Sequence, residues 1–124
     1  MDETKNLIEK LPSAFAYHKI IYDKYKKVVD FVFLNVNEKF EKMTGLKKED
    51  IEGKKASFVI ENSNKKSFKL IEFYSNIALN EKNKTIKKYF ESYNKWYEIK
   101  AYSEEKGYFK TFLYDITEKK QKER

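Results

Sequence analysis

The stretch from Phe31 to Lys54, FVFLNVNEKFEKMTGLKKEDIEGK, leaves the backbone few choices. It opens on the apolar run Phe31-Val32-Phe33-Leu34, too short for a lone helix and rich in β-formers, so it predicts a strand. Asn37 stops that strand. An asparagine side chain accepts from backbone N–H groups two or three residues on, which suits the position before a helix. The helix Glu38–Thr44 then places Phe40 and Met43 on one face, three residues apart. Gly45 ends it, because glycine enters the left-handed region at little steric cost. A second short turn, Lys47–Glu52, carries Leu46 and Ile51 inward and ends at Gly53.

The flanking segments must supply surfaces for these two short helices. Ala14–Tyr22 alternates, with Phe15, Tyr17, Lys19 and Ile21 on one side and Ala16, His18, Ile20 and Tyr22 on the other. That period of two predicts a strand, and Val28–Val36 returns beside it through the polar turn Asp23–Lys27. Upstream, Thr4–Leu11 predicts a short helix with a Leu7, Ile8 and Leu11 stripe, ended by Pro12 and Ser13; a piece so short must dock on something. Downstream, Ala56–Ile60 is a brief apolar run. The capping residues Glu61-Asn62-Ser63-Asn64 then predict the start of a long helix bearing Phe68, Ile71, Tyr74, Ile77 and Ala78, ending near Asn80. Thr85–Tyr93, Trp96–Ser103 and Tyr108–Ile116 predict three more strands, joined by turns at Asn94-Lys95 and Glu104–Gly107. Lys119–Arg124 is charged and helix-compatible. The expected fold class is α+β: a five-stranded antiparallel sheet with helices packed on one face.

Composition removes several function classes. The chain of 124 residues is 38% charged yet 17% aromatic, which predicts one domain with a core rather than a disordered chain. It has no cysteine, which excludes disulfides, thiol catalysis and thiolate metal sites. No run approaches the roughly 20 apolar residues of a membrane span. The start, Met1-Asp2-Glu3 followed by Lys5, Glu9 and Lys10, does not read as a signal peptide. A cytoplasmic location without membrane insertion is expected. The net charge of +7 raises nucleic acid as a partner, but Arg124 is the single arginine and the lysines usually stand beside Glu or Asp. A solvated lysine-rich surface, and no nucleic-acid partner, is the expectation.

No catalytic pattern or metal cluster is present. Three glycines, Gly45, Gly53 and Gly107, cannot build a phosphate loop. The single histidine, His18, lies mid-strand among aromatics; it is open to readings as a ligand, a pH switch or a base, and equally as a histidine bonded locally in the sheet. Glu49, Asp50 and Glu52 read as a solvated helix face. What remains is a convergence of large side chains: Phe33, Phe40, Met43, Phe58, Phe68, Ile71, Tyr89, Ile99, Phe109 and Phe112. These either fill the core or line a small ligand cavity with Asn35, Tyr97 and Thr111 as polar anchors.

The run N-E-K-F-E-K-M-T-G-L-K-K-E-D-I-E-G-K, from Asn37 to Lys54, resembles the centre of a PAS domain. Further matches are Trp96-Tyr97-Glu98-Ile99, Gly107-Tyr108-Phe109 and the tail Asp115-Ile116-Thr117-Glu118-Lys119-Lys120. The resemblance implies an N-terminal helical cap over 1–13, a sensory domain over 14–117 and the start of an exit helix over 118–124. It implies a non-enzymatic signalling module of a bacterium or archaeon that binds a small ligand or a partner. The state would pass through the exit helix to an output domain in the same chain, a histidine kinase first or a diguanylate cyclase second. Asp115 would hold the strand-to-helix junction and Thr117 would cap the helix. A homodimer is expected; the alternative is a dimerisation or interaction module without a ligand, pairing two chains through Leu7, Ile8 and Leu11 and outer-face aromatics such as Trp96, Tyr102 or Tyr114. Haem-binding members usually take a histidine from the long helix, and Asn62–Asn80 has none. Flavin adducts in light-sensing members need a cysteine, which is absent, so the cofactor is left open. Lys47 departs from the Ser or Thr cap common in the family.

Overall fold

The alternation in Ala14–Tyr22 produces β1, and Val28–Val36 returns antiparallel beside it as β2. The computed structural model describes residues 12–62, 69–73, 76 and 83–123. Lys84–Phe90, Lys95–Tyr102 and Tyr108–Asp115 are β3, β4 and β5. The five strands form one antiparallel sheet in the order β2-β1-β5-β4-β3. The first strand therefore lies inside the sheet, paired on one side to its sequence neighbour and on the other to the last strand. The N-terminal stripe Leu7, Ile8 and Leu11 lies outside the described residues.

Alternation sorts the two faces. Ala14, Ala16, His18 and Ile20 of β1, Tyr97, Ile99 and Ala101 of β4, and Phe109, Thr111 and Leu113 of β5 are buried on the inner face. Trp96, Tyr102, Tyr108, Phe112 and Tyr114 point the other way and are half-buried. β2 breaks the rule. Phe31, Phe33 and Val36 are all buried, which strict alternation forbids, and a register shift between Tyr17 and His18 accounts for it. The irregularity re-aims the end of the strand.

Asn37 joins the sheet to the helices. Its side-chain oxygen accepts from Phe40 N at 2.9 Å and from Phe15 N at 3.0 Å, and its amide donates to Ser13 O at 3.0 Å. One fully buried side chain thus caps α1 (Glu38–Thr44) and pairs with the start of β1. Gly45, at φ 79°, turns the chain out of α1. α2 (Lys48–Ile51) starts at Lys47, which offers no side-chain cap; Glu41 supplies one instead, accepting from Lys48 N at 2.7 Å. The next residues line the outer edge of β2, where Gly53 N donates to Phe33 O and Phe33 N to Lys54 O. A covered edge cannot template pairing with another chain.

α3 spans Ala56–Asn62. The brief apolar run over 56–60, placed by the sequence reading ahead of the helix start, is thus already helical: Asp30 accepts from Ser57 N and Ser57 Oγ at its first turn. The capping signal came from a partner 27 residues away, so no local pattern carried it. Residues 69–73 and 76 are helical, and Leu70 and Ile71 are fully buried. Phe68, Tyr74, Ile77 and Ala78 lie outside the described residues. α4 (Thr117–Lys122) leaves the end of β5.

Candidate functional site

Two constellations stand out, one on the inner face of the sheet and one at its exit. On the inner face, β1 brings His18 between Phe31 and Phe33 of β2 and Phe109 of β5. Its ring stacks on Phe109 at 4.3 Å and meets Phe31 and Phe33 edge-on at 4.9 Å each. His18 Nε2 and Thr111 Oγ1 are 3.3 Å apart. His18 is fully buried, and that burial pushes its pKa down to about 3, so the imidazole is neutral at physiological pH. A neutral imidazole and a hydroxyl among three phenyl rings can exchange one hydrogen bond with a polar group; they cannot hold an anion. Among the described residues no His, Asp or Glu cluster could hold a metal ion.

Beside this group, Tyr97 crosses from β4 to the helices. Its hydroxyl donates to Met43 O at 3.3 Å, and Tyr93 donates to Thr44 O at 2.7 Å. Two tyrosines thereby satisfy carbonyls left open at the end of α1. Burial, then the Asp115 carboxylate, pushes the Tyr97 phenol up to about 12, so it remains a donor.

Of the residues expected to converge, Phe33, Phe40, Ile71, Tyr97, Ile99, Phe109 and Thr111 are buried together in the core, and Met43 packs half-buried against it. Four do not join them. Asn35 is opposite Tyr17 on the outer face, because the irregularity in β2 gives Val36 the inward position. Tyr89 is 41% exposed opposite Trp96, and Phe90 takes the inner position of β3. Phe112 lies against Phe15 and Tyr102, as its odd offset from Phe109 requires. Phe58 is 45% exposed on α3, in a groove of about 570 Å³ over Leu46, Ile51 and Val59. Phe68 lies outside the described residues. The sequence reading missed Phe31, Leu70, Phe90 and Leu113; Phe31 sits two residues before Phe33 and was legible from alternation.

At the exit, Asp115 and Thr117 surround one backbone unit. Ile116 N donates to Trp96 O at 2.9 Å, and Trp96 N donates to Thr117 Oγ1 at 2.9 Å. Asp115 Oδ1 accepts from Thr117 N at 3.0 Å, and its other oxygen faces Lys95 Nζ at 3.5 Å. Burial pushes the Asp115 pKa upward, but the Thr117 bonds and the Lys95 ammonium outweigh it and hold the carboxyl below its ordinary value. The Lys120 ammonium stands 4.9 Å from the Trp96 ring. Thr117 does not cap the helix, as expected of it; its hydroxyl is turned to Trp96, and Asp115 supplies the capping oxygen. Trp96 is the partner that sequence reasoning left unassigned here.

This architecture is shared with known light receptors. An RNA-binding light-oxygen-voltage receptor superposes with a TM-score of 0.55 at 16% identity, over 97% of this chain. This chain spans only 34% of that receptor's length. The LOV domain of a blue-light activated histidine kinase from Erythrobacter litoralis gives 0.49 at 20% identity, over 87% of this chain and 99% of its own. The LOV protein of Rhodobacter sphaeroides gives 0.49 at 12% identity, over 94% and 69%. No protein-family model and no curated protein sequence matches the chain. The fold is that of a PAS domain, the class to which LOV domains belong. The chain has no cysteine, so it cannot form a thiol–flavin adduct.

Proposed function

We propose that this chain is a non-enzymatic sensory module that takes a small ligand at the inner sheet face and passes its state out through α4. The observation that carries this reading is the exit junction. Both backbone polar groups of Trp96 are tied to Ile116 and Thr117, where the chain enters α4, so a displacement of β4 must be felt by the helix. Tyr97, the next residue on β4, reaches into the core from the same strand. The ligand would lie against Phe33, Phe40, Met43, Ile71, Ile99 and Phe109, with Tyr97, Thr111 and His18 as its polar partners. The output would be a further domain of the same protein, a histidine kinase or, second, a diguanylate cyclase. The module would work as a homodimer in the cytoplasm, without inserting in a membrane.

A nucleic-acid partner is not part of this reading, although one protein of this fold binds RNA. Lys95, Lys100 and Lys110 on the sheet each face a carboxylate: Asp115, Glu98 and Glu104. Paired lysines release fewer counterions on binding phosphate. Native against denaturing mass spectrometry of the purified chain tests the proposal. A mass surplus that disappears on denaturation is the expected result, and its size gives the ligand class. A bare mass at twice the chain, with no surplus under any growth condition, would remove the ligand and leave a dimerisation module.

A further inference from the structure

One short stretch of chain, Tyr93 to Tyr97, serves both the end of α1 and the exit junction. Its two ends serve the helix: Tyr93 Oη donates to Thr44 O at 2.7 Å, and Tyr97 Oη donates to Met43 O at 3.3 Å. Between them, Trp96 bonds Ile116 and Thr117 through both of its backbone polar groups. Tyr97 is also the residue opposite Asp115 in the β4–β5 ladder. The side chain that reaches α1 therefore starts beside the carboxylate that caps α4.

This stretch is braced. The turn between β3 and β4 is closed by Tyr93 N donating to Phe90 O at 3.1 Å and Asn94 N donating to Glu91 O at 3.0 Å. The Tyr93 and Tyr97 rings pack at 5.7 Å, and Tyr97 packs on Phe90 at 5.8 Å. Rings held in this way leave little slack for a moving helix. When the end of α1 shifts, either the hydroxyl bonds break and leave two carbonyls short of a partner, or β4 follows. The exit bonds are 2.9 to 3.0 Å long. A shift of β4 by about 0.5 Å takes them beyond the usual range.

We infer that Tyr93 and Tyr97 form a latch: their hydroxyls tie the end of α1 to β4, so that the position of α1 sets the hold on α4. The inference rests on the exit relay of the proposed function and names the element that feeds it. Phe40 and Met43, which the ligand would touch, are residues of α1. A ligand that moves α1 therefore reaches the exit without displacing the sheet directly.

Amide hydrogen exchange of the 124-residue chain is the test. α4 buries no residue, so its amides exchange by local opening, which a general loss of stability does not accelerate. Tyr93→Phe keeps the ring and removes the donor. It should speed exchange over residues 117–122 about three-fold, and Tyr97→Phe, whose bond is longer, about two-fold. Tyr102→Phe is the control: it makes the same change on β4, but on the outer face against Phe112, and should leave 117–122 unaltered. Faster exchange confined to β1 and β5 in the Tyr93 and Tyr97 variants would mean that the hydroxyls only stabilise the core, and overturns the latch. Equal acceleration of 117–122 by Tyr102→Phe overturns it as well. Asp115→Ala separates the latch from the relay. If it speeds exchange in α4 while Tyr93→Phe and Tyr97→Phe do not, the latch falls and the relay stands. If none of the three changes α4, both fall.

Discussion

A single imidazole sets how this protein answers acid. His18 is walled by Phe31, Phe33 and Phe109, with the Thr111 hydroxyl as its polar neighbour, and no charged group faces it from these strands. Its pKa falls from 6.5 to about 3 on folding. Above pH 6.5 both folded and unfolded chains carry it neutral, and it has no effect on the pH dependence of stability. Between 6.5 and 3 the unfolded chain takes up a proton that the folded chain refuses, so stability falls as the pH is lowered. The full loss is on the order of 4 kcal/mol by pH 3. His18→Phe should flatten that slope while costing about 1 kcal/mol at neutral pH for the stranded Thr111 hydroxyl. Urea unfolding of both proteins between pH 7.5 and 4 measures it, and parallel slopes would refute the assignment. The reading of His18 as a locally bonded sheet residue was among those open in the sequence. Its depth was not, because the partners come from β2 and β5, at separations that no local pattern carries.

At the scale of elements, α4 is held by few contacts. It buries no residue of its own and depends on Asp115, Thr117 and the Trp96 ring. Asp115→Ala removes the capping acceptor and the Lys95 partner. We expect a loss of about 1 kcal/mol in α4 alone, little change in global unfolding, and several-fold faster amide exchange over residues 117–122. On the proposed function, the same change should also uncouple α4 from an output. Unaltered exchange in the variant would mean that the helix is held by other contacts. The bounds of α1 and β1 were legible because each is terminated by a residue with a local mechanism, Asn37 or Gly45 at α1 and the polar turn after Tyr22 at β1. α3 was not, since its first turn is bonded to Asp30. Two of the displaced side chains trace to strand irregularity: the shift in β2 moved Asn35 outward, and the unclear alternation in β3 exchanged Tyr89 for Phe90. A period of two reports a face only while the ladder is regular.

For the whole molecule the decisive fact is the placing of β1 between β2 and β5. Ala14 pairs with Leu113, so the central ladder joins positions roughly a hundred residues apart. Such non-local pairing slows folding, and refolding is expected on the millisecond-to-second scale. The single tryptophan reports it: Trp96 acquires its α4 contacts only when β5 has joined the sheet. Stopped-flow fluorescence that reaches its final value in microseconds would contradict this order. During synthesis on the ribosome the same topology has another consequence. β1, β2 and α1–α3 are translated well before β5, and the nascent strand β1 waits with one edge open. An unpaired interior edge is a template for the wrong chain. Translational pausing ahead of Tyr108 would lengthen that exposure and raise the demand for chaperone capture, whereas the edge of β2 is already covered by residues 53–55.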